Sequence, residues 1–182
     1  MFVAIDAETK LIPSYMVGKR DQATTYGFLS DLQERLAEEH RFQLTTDGFM
    51  FYRRGVEDVF AGQADFAQMI RIYGDYGQHD AAGRYSPSPT IETIVKIRDG
   101  RPDPRHISTS YVERSNLTIR MAIRRFTRLT NAFSKKLDNH KAACALHFAY
   151  YNFCRIHQTL RVTPAMEAGI ADHACSLREL LA

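Results

Sequence analysis

A chain of 182 residues, 45% of them hydrophobic, is long enough to bury a core as one domain with at most a short appendage. No apolar run reaches the length of a bilayer span, MFVAIDAE meets an acid at position 6 where a signal peptide would stay apolar, and three cysteines (Cys144, Cys154, Cys175) without CxxC spacing read as reduced thiols rather than a zinc site with His140, His147 or His157. A membrane partner is therefore excluded and a cytoplasmic location expected, while the net charge of +3 hides an asymmetry: residues 1–100 carry 11 Lys/Arg against 15 Asp/Glu, and residues 101–182 carry 13 against 6.

In chain order, FVAID is apolar and β-branched and reads as a buried strand. AETK is a tight polar turn, and LIPSYMVG is a second strand, with Pro13 marking an edge or irregular position. The two form a β-hairpin. Asp21 is an N-cap for a helix running to about His40, with Tyr26, Leu29, Leu32 and Leu36 on one stripe and Phe28 beside it. FQLTTDG is a short strand ending in Asp47 and Gly48. A helix over about 51–61 and a strand over about 65–72 follow. Residues 74–91, rich in Gly, Pro and polar groups, read as a mobile loop. ETIVKIRDG is a further strand.

From about residue 108 the chain reads as helical. Ile119, Ile123, Phe126, Thr130, Phe133 and Leu137 step by alternating fours and threes and form a buried stripe. Asp138 or Asn139 caps a last helix running to about His157, and in the segment YNFCRIHQTLRVTP the residues Tyr151, Phe153, Ile156 and Leu160 are core anchors. There is no internal repeat. The alternation of strands and helices is an α/β pattern.

The segment YVERSNLTIR, residues 111–120, carries the most chemistry. Glu113, Asn116 and Arg120 share one helical face, with Glu113 and Arg120 only about 20° apart around the axis. Glu is a hard oxygen ligand for Mg²⁺, and Arg grips phosphate bidentately. Basic charge concentrates over 114–141, in Arg114, Arg120, Arg124, Arg125, Arg128, Lys135, Lys136 and Lys141, opposed by Asp138. Such a stripe suits nucleic acid, and on charge alone it suits a solvated helix face equally. Glu113 equally reads as a surface partner of Arg114 or Arg120, and Asp47 before Gly48 as an ordinary turn aspartate. Neither a GxSxG nucleophile elbow nor a GxxxxGK phosphate loop is present, which ranks hydrolase and ATPase readings low.

Five pieces carry a resemblance: FVAIDAETKLIPSYMVGKRD at 2–21, QLTTDGF at 43–49, HISTSYVERSNLTIR at 106–120, RRFTRLTNAFSKKLDNH at 124–140 and YNFCRIHQTLRVTPAMEAG at 151–169. In this order and spacing the chain resembles the catalytic domain of a bacterial insertion-sequence transposase of the DDE type. The resemblance implies a ribonuclease-H-like fold over residues 1–160, with 161–182 as a C-terminal tail. It implies three carboxylates at one end of the sheet holding two Mg²⁺ ions for in-line phosphoryl transfer. Asp47 takes the second-acid position and Glu113 the third, as catalytic and metal residues. Arg114, Asn116, Arg120, Arg124, Arg125, Arg128, Lys135 and Lys136 face double-stranded DNA, and a homo-oligomer or an intact transposase is the expected protein partner.

Asp6 does not fit the first-acid position. That acid should sit on strand one, two strands before the first long helix, whereas only LIPSYMVG separates Asp6 from Asp21. FVAID and LIPSYMVG therefore take the places of strands two and three, and Asp6 falls in the hairpin turn. The segment reading roughly Asp-Glu-x-Trp that bears the first acid in similar transposases is absent, and the chain has no tryptophan. The expectation is a ribonuclease-H-like fold lacking its first strand, in a truncated form inactive on its own. The alternative is a non-catalytic DNA-binding or transposase-interacting fragment.

Overall fold

The computed structural model describes residues 1–37, 41–74, 90–126 and 136–182. The protein is a mixed α/β chain that divides into two compact units, Met1–Arg20 with Ser110–Ala182, and Asp21–Thr109.

In the first unit, strands β1 (Phe2–Val3) and β2 (Tyr15–Met16) pair antiparallel, with Phe2 opposite Met16. Backbone bonds extend the hairpin past the ladder, from the Ala4 N–H to the Ser14 carbonyl (2.9 Å) and from the Asp6 N–H to the Leu11 carbonyl (2.8 Å). The ladder stops short because Pro13 has no N–H to give. Helix α3 (Ser110–Ala122) packs Ile119 into a core of Ile12, Ile123, Cys144, Phe148 and Tyr151. Tyr15 stacks on Phe148 with ring centroids 4.2 Å apart. All three cysteines are free thiols, as their spacing leads one to expect.

The helical run from residue 108 is not continuous. α3 ends at Ala122 and a 3₁₀ turn covers Arg124–Phe126. The expected stripe holds for Ile119 and Ile123, is half-buried at Phe126, and fails at Leu137, which is exposed. A break resets the helical phase, so spacing counted across it no longer marks one face. Thr130 and Phe133 lie outside the described residues. α4 (Leu137–Ala149) begins at Leu137 with Lys136 at the cap position, so neither Asp138 nor Asn139 caps it. Asp138 sits instead in the first turn, where the helix dipole favours an anion.

α4 runs into a π-helical turn, Tyr150–Cys154, closed by the Arg155 N–H on the Tyr150 carbonyl at 2.9 Å. Arg155 is extended, so the last helix stops before His157 and Ile156 is turned out to solvent instead of anchoring the core. The π turn carries Asn152 inward. Its Oδ1 accepts the Ile12 N–H (3.1 Å) and its Nδ2 donates to the Ile12 carbonyl (2.9 Å), joining residues 140 positions apart. Short helices α5 (Pro164–Glu167), capped by Thr163, and α6 (Leu177–Leu181), opened by a Ser176–Glu179 capping box, complete the unit.

The second unit begins at Asp21, whose carboxylate accepts the Thr24 N–H and caps α1 (Gln22–Gln33) as its position suggests. α1 is shorter than the sequence pattern. After Leu32 no core-facing apolar residue follows until Leu36, and the chain closes in tighter turns, Arg35 N–H to Leu32 and Leu36 N–H to Gln33. Thr25, Phe28, Leu29 and Leu32 are its buried residues. Strand β3 (Phe42–Asp47), helix α2 (Met50–Phe60) and strand β4 (Ala64–Tyr73) form a βαβ unit with β3 and β4 parallel. Strand β5 (Thr90–Asp99) returns antiparallel on β4, giving the order β3-β4-β5. Phe28, Leu29, Leu32, Val56, Phe60, Phe66 and Ala67 are buried in this unit. Most of the expected loop at 74–91 lies outside the described residues, with Thr90 and Ile91 belonging to β5.

Candidate functional site

Asp47 is the last residue of β3, exposed, at the carboxyl end of a parallel strand. Two features hold it there. Its Oδ1 accepts the Phe49 N–H at 3.0 Å, which orients the carboxylate over the turn into α2. Its carbonyl accepts from Gln68 Nε2 at 3.1 Å and from Thr46 Oγ1 at 2.9 Å. Gln68 is a buried residue of β4. The same Nε2 reaches the Phe49 carbonyl at 3.4 Å, and its Oε1 accepts from Arg98 Nε at 2.9 Å. Gly48 completes the turn: a Cβ there would come within 2.9 Å of Ile70 Cγ1, so only glycine lets the backbone approach β4 this closely.

Glu113 stands in the first turn of α3, where the helix dipole favours a carboxylate. It is exposed, as are Arg114, Asn116 and Arg120, while Ser115 and Ile119 face the core. The shared face of Glu113, Asn116 and Arg120 is therefore a solvent face. Arg124 and Arg125 follow in the 3₁₀ turn, also exposed. Among the described residues, Arg114, Arg120 and Arg124 make no ion pair, and the stretch from Glu113 to Arg125 sets four arginines against one acid. Lys136 is exposed at the start of α4. Arg128 and Lys135 lie outside the described residues. Exposed Leu117 and Met121 interrupt the basic face. Lys10 Nζ sits 3.9 Å above the Tyr111 ring, fixing the start of α3 to the hairpin loop.

Asp6 belongs to the hairpin turn, in agreement with the topological reading. Its Oδ2 accepts the Thr9 N–H (2.9 Å) and hydroxyl (2.5 Å), and its Oδ1 the Glu8 N–H (3.5 Å). Burial raises the pKa of this carboxyl, but the Thr9 hydroxyl, the Thr9 and Glu8 N–H groups and the nearby Lys10 charge outweigh it and hold the pKa below the ordinary value. Its hydrogen bonds are directed into its own turn.

Mg²⁺ takes oxygen ligands, keeps several waters, and is held by one or two carboxylates together with substrate phosphate. Exposed Asp47 and Glu113 are donors of that class, one in each unit. Among the described residues no group of three His, Cys, Asp or Glu side chains gathers to hold a metal. No described helix is long and apolar enough to cross a membrane.

Two residues of consequence are invisible to sequence reasoning. Gln68 and Asn152 each sit in an apolar run, AQMI and YYNFC, and the one available signal is a carboxamide where the pattern expects a hydrophobe. His157, which the sequence does single out, has its Nδ1 buried with no hydrogen-bond partner among the described residues, and burial, with Lys10 and Arg155 nearby, pushes its pKa down. No family model, no curated protein and no solved structure matches this chain.

Proposed function

We propose that this chain is part of the DNA phosphoryl-transfer core of an insertion-sequence transposase, with a ribonuclease-H-like arrangement of its strands. The observation that carries the reading is the placement of its two acids. Asp47 ends a parallel strand that a helix joins to the next parallel strand, and Glu113 opens a later helix whose solvent face is arginine-rich. These are the positions the DDE resemblance asks of the second and third acids. The hairpin β1–β2 ahead of α1 suits strands two and three. The fold calls for a further, central strand bearing the first acid. Among the described residues β1 has β2 as its sheet neighbour in the first unit, and β3 has β4 in the second.

In this reading Asp47 and Glu113 hold Mg²⁺, with a third carboxylate supplied from outside this chain. Gln68 positions the Asp47 turn. Arg114, Arg120, Arg124 and Arg125 hold DNA phosphates, and Asn116 lies beside them to donate a hydrogen bond. When bound, the metal pair supplies activation of the attacking oxygen and stabilisation of the leaving one. Without the first acid, this chain alone does not cut or join DNA.

The test has two arms. In the first, binding to a duplex is measured against salt. Each phosphate contact contributes about −0.9 to the slope of log K on log salt, so Arg114→Ala, Arg120→Ala and Arg124→Ala together flatten the slope by roughly 2–3. Absence of DNA binding at low salt rejects the reading. In the second, strand transfer with Mg²⁺ is assayed. Activity of this chain that Asp47→Ala abolishes would show that Asp6 serves as the first acid and that the topological argument fails.

The exposed Leu117 and Met121 favour a second reading, a non-catalytic chain that docks on an intact transposase through α3. Leu117→Ser with Met121→Ser separates the two. Loss of co-assembly with unchanged DNA binding supports docking.

A further inference from the structure

Among the described residues, β5 is an edge strand that carries apolar side chains beside its charges. It is ten residues long, it has β4 as its neighbour in the β3-β4-β5 sheet, and it leaves Ile91, Val95 and Ile97 exposed at 71%, 46% and 59%. A long edge with apolar side chains is a template for pairing with another strand. The irregularities in its ladder lie at the two ends, between Ile72 and Tyr73 and between Phe66 and Ala67 of β4. The stretch Glu92–Ile97 between them is regular.

We infer that β5 pairs antiparallel with β5 of a second copy of this chain, about a two-fold axis at Ile94, to form one continuous six-stranded sheet. The argument is self-complementarity. A two-fold axis perpendicular to a sheet keeps each face on its own side, so residues opposite one another sit symmetrically about one central residue. With Ile94 at the centre, Glu92 faces Lys96 of the second copy, Lys96 faces its Glu92, Thr93 faces Val95, and Ile94 faces itself. Opposite side chains in such a ladder have Cβ atoms about 4.5–5.5 Å apart, close enough for two symmetric ion pairs. Thr93, Val95 and Ile97 of both copies then share one face as a continuous β-branched patch. Neighbouring registers lose this match. Centring on Thr93 sets Glu92 against Ile94, and centring on Val95 sets Ile94 against Lys96 and Glu92 against Arg98, whose guanidinium already bonds Gln68. Charges on an edge ordinarily prevent association. Here their signs are arranged so that the strand repels most partners and fits itself. The inference rests on β5 alone and does not depend on the proposed function.

Charge reversal on the full chain tests it, read by sedimentation and by native mass spectrometry with one isotope-labelled copy. The wild-type protein is expected to dimerise. Glu92→Lys alone sets ammonium against ammonium across the ladder, Lys96→Glu alone sets carboxylate against carboxylate, and each is expected to weaken the dimer at least about tenfold. Mixing the two single variants restores complementarity and should give the heterodimer in preference to either homodimer. The double variant restores the homodimer. Ile94→Lys, which places two ammonium groups face to face on the axis, is an independent disruption should a reversal impair folding. A wild-type chain that stays monomeric to about 0.1 mM overturns the inference. So would a dimer indifferent to both reversals, since its interface would lie elsewhere.

Discussion

Asn152 and Gln68 are both buried carboxamides in apolar segments, and both direct their hydrogen bonds at backbone, yet they hold different things. Asn152 satisfies the N–H and the carbonyl of a single residue, Ile12, and so ties the C-terminal π turn to the N-terminal hairpin across 140 positions. Gln68 reaches two carbonyls of one turn, Asp47 and Phe49, and takes its own support from Arg98 on the neighbouring strand. The first is a staple between distant parts of the chain. The second fixes the turn that presents a candidate ligand carboxylate. Asn152 thus adds a hydrogen-bonded staple to the non-local packing of the first unit, while in the second Gln68 braces strands that the β3-β4-β5 ladders and the βαβ crossover already join.

The largest effect expected from breaking this comparison is at Asn152. Asn152→Leu keeps the volume and leaves the Ile12 N–H and carbonyl buried without partners. Each of the two stranded groups costs about 1–3 kcal/mol, so a total of roughly 2–6 kcal/mol is expected. Denaturant unfolding followed by hydrogen exchange would place the loss in β1, β2 and α4. Equal loss of protection in β3 and β4 would show that the two units do not unfold separately. Gln68→Leu should cost less, about 1–3 kcal/mol, because Arg98 is only half-buried and can turn to water. Its distinguishing effect is on the Asp47 turn: exchange at Phe49 and Met50 should rise while β4 itself stays protected.

Acid sharpens the contrast, with a smaller effect. In the first unit burial pushes the pKa values of His147 and His157 down, with Arg155 adding to it in both cases and Lys10 in the second. A histidine whose folded pKa is depressed binds its proton more readily when unfolded, so stability is full above about pH 6.5 and falls as pH drops below it. His173, raised by its hydrogen bond to Asp172, acts in the opposite sense but is fully exposed. In the second unit Asp65, hydrogen-bonded by Arg41, and Asp103, hydrogen-bonded by Arg105, are both held at about 2. Their contribution is present above their ordinary value of 3.8 and is lost as pH falls toward 2. The first unit should therefore begin to lose protection between pH 6.5 and 5, and the second only below about pH 4. His147→Phe should flatten the first of these profiles. An unchanged profile would assign the sensitivity to His157.

Much of this fold was legible because it rests on local chemistry. Asp21 reads as a cap, AETK as a turn with Asp6 inside it, and FQLTTDG as a strand running into a tight glycine turn, and each is so in the structure. Asp47 at a strand end and Glu113 at a helix start were legible for the same reason. What sequence could not show was set by distance or by phase. The apolar spacing from Ile119 to Phe126 continues through the break after Ala122, so nothing in the pattern announces that Leu137 will face solvent. The π turn shifts Asn152 inward and Ile156 outward by adding one residue to a helical turn, a change no periodicity records. Asn152 and Gln68 are polar residues that ordinarily face water, and their burial follows from partners many positions away.

The smallest effect expected concerns backbone conformation, and both units contain an example. Ala61 closes α2 with φ of 46°, and Arg161 follows the π turn region with φ of 68°, both in the left-handed region where a Cβ crowds the carbonyl. Relief of that crowding is worth about 1–2 kcal/mol, and the extra freedom glycine gains in the unfolded chain removes roughly 0.5–1 kcal/mol of it. Ala61→Gly should therefore stabilise the second unit by about 0.5 kcal/mol, a rise of roughly 1–2 °C in Tm for a chain of this size. Arg161 is less simple, because its N–H closes a turn on the His157 carbonyl at 2.8 Å and that turn also carries the His157 N–H to the Val162 carbonyl. Glycine there keeps both backbone bonds and relieves the same crowding. If Arg161→Gly lowers stability while Ala61→Gly raises it, the Arg161 side chain contributes more than its backbone strain costs, and the turn that positions His157 is held by that side chain as well as by its backbone.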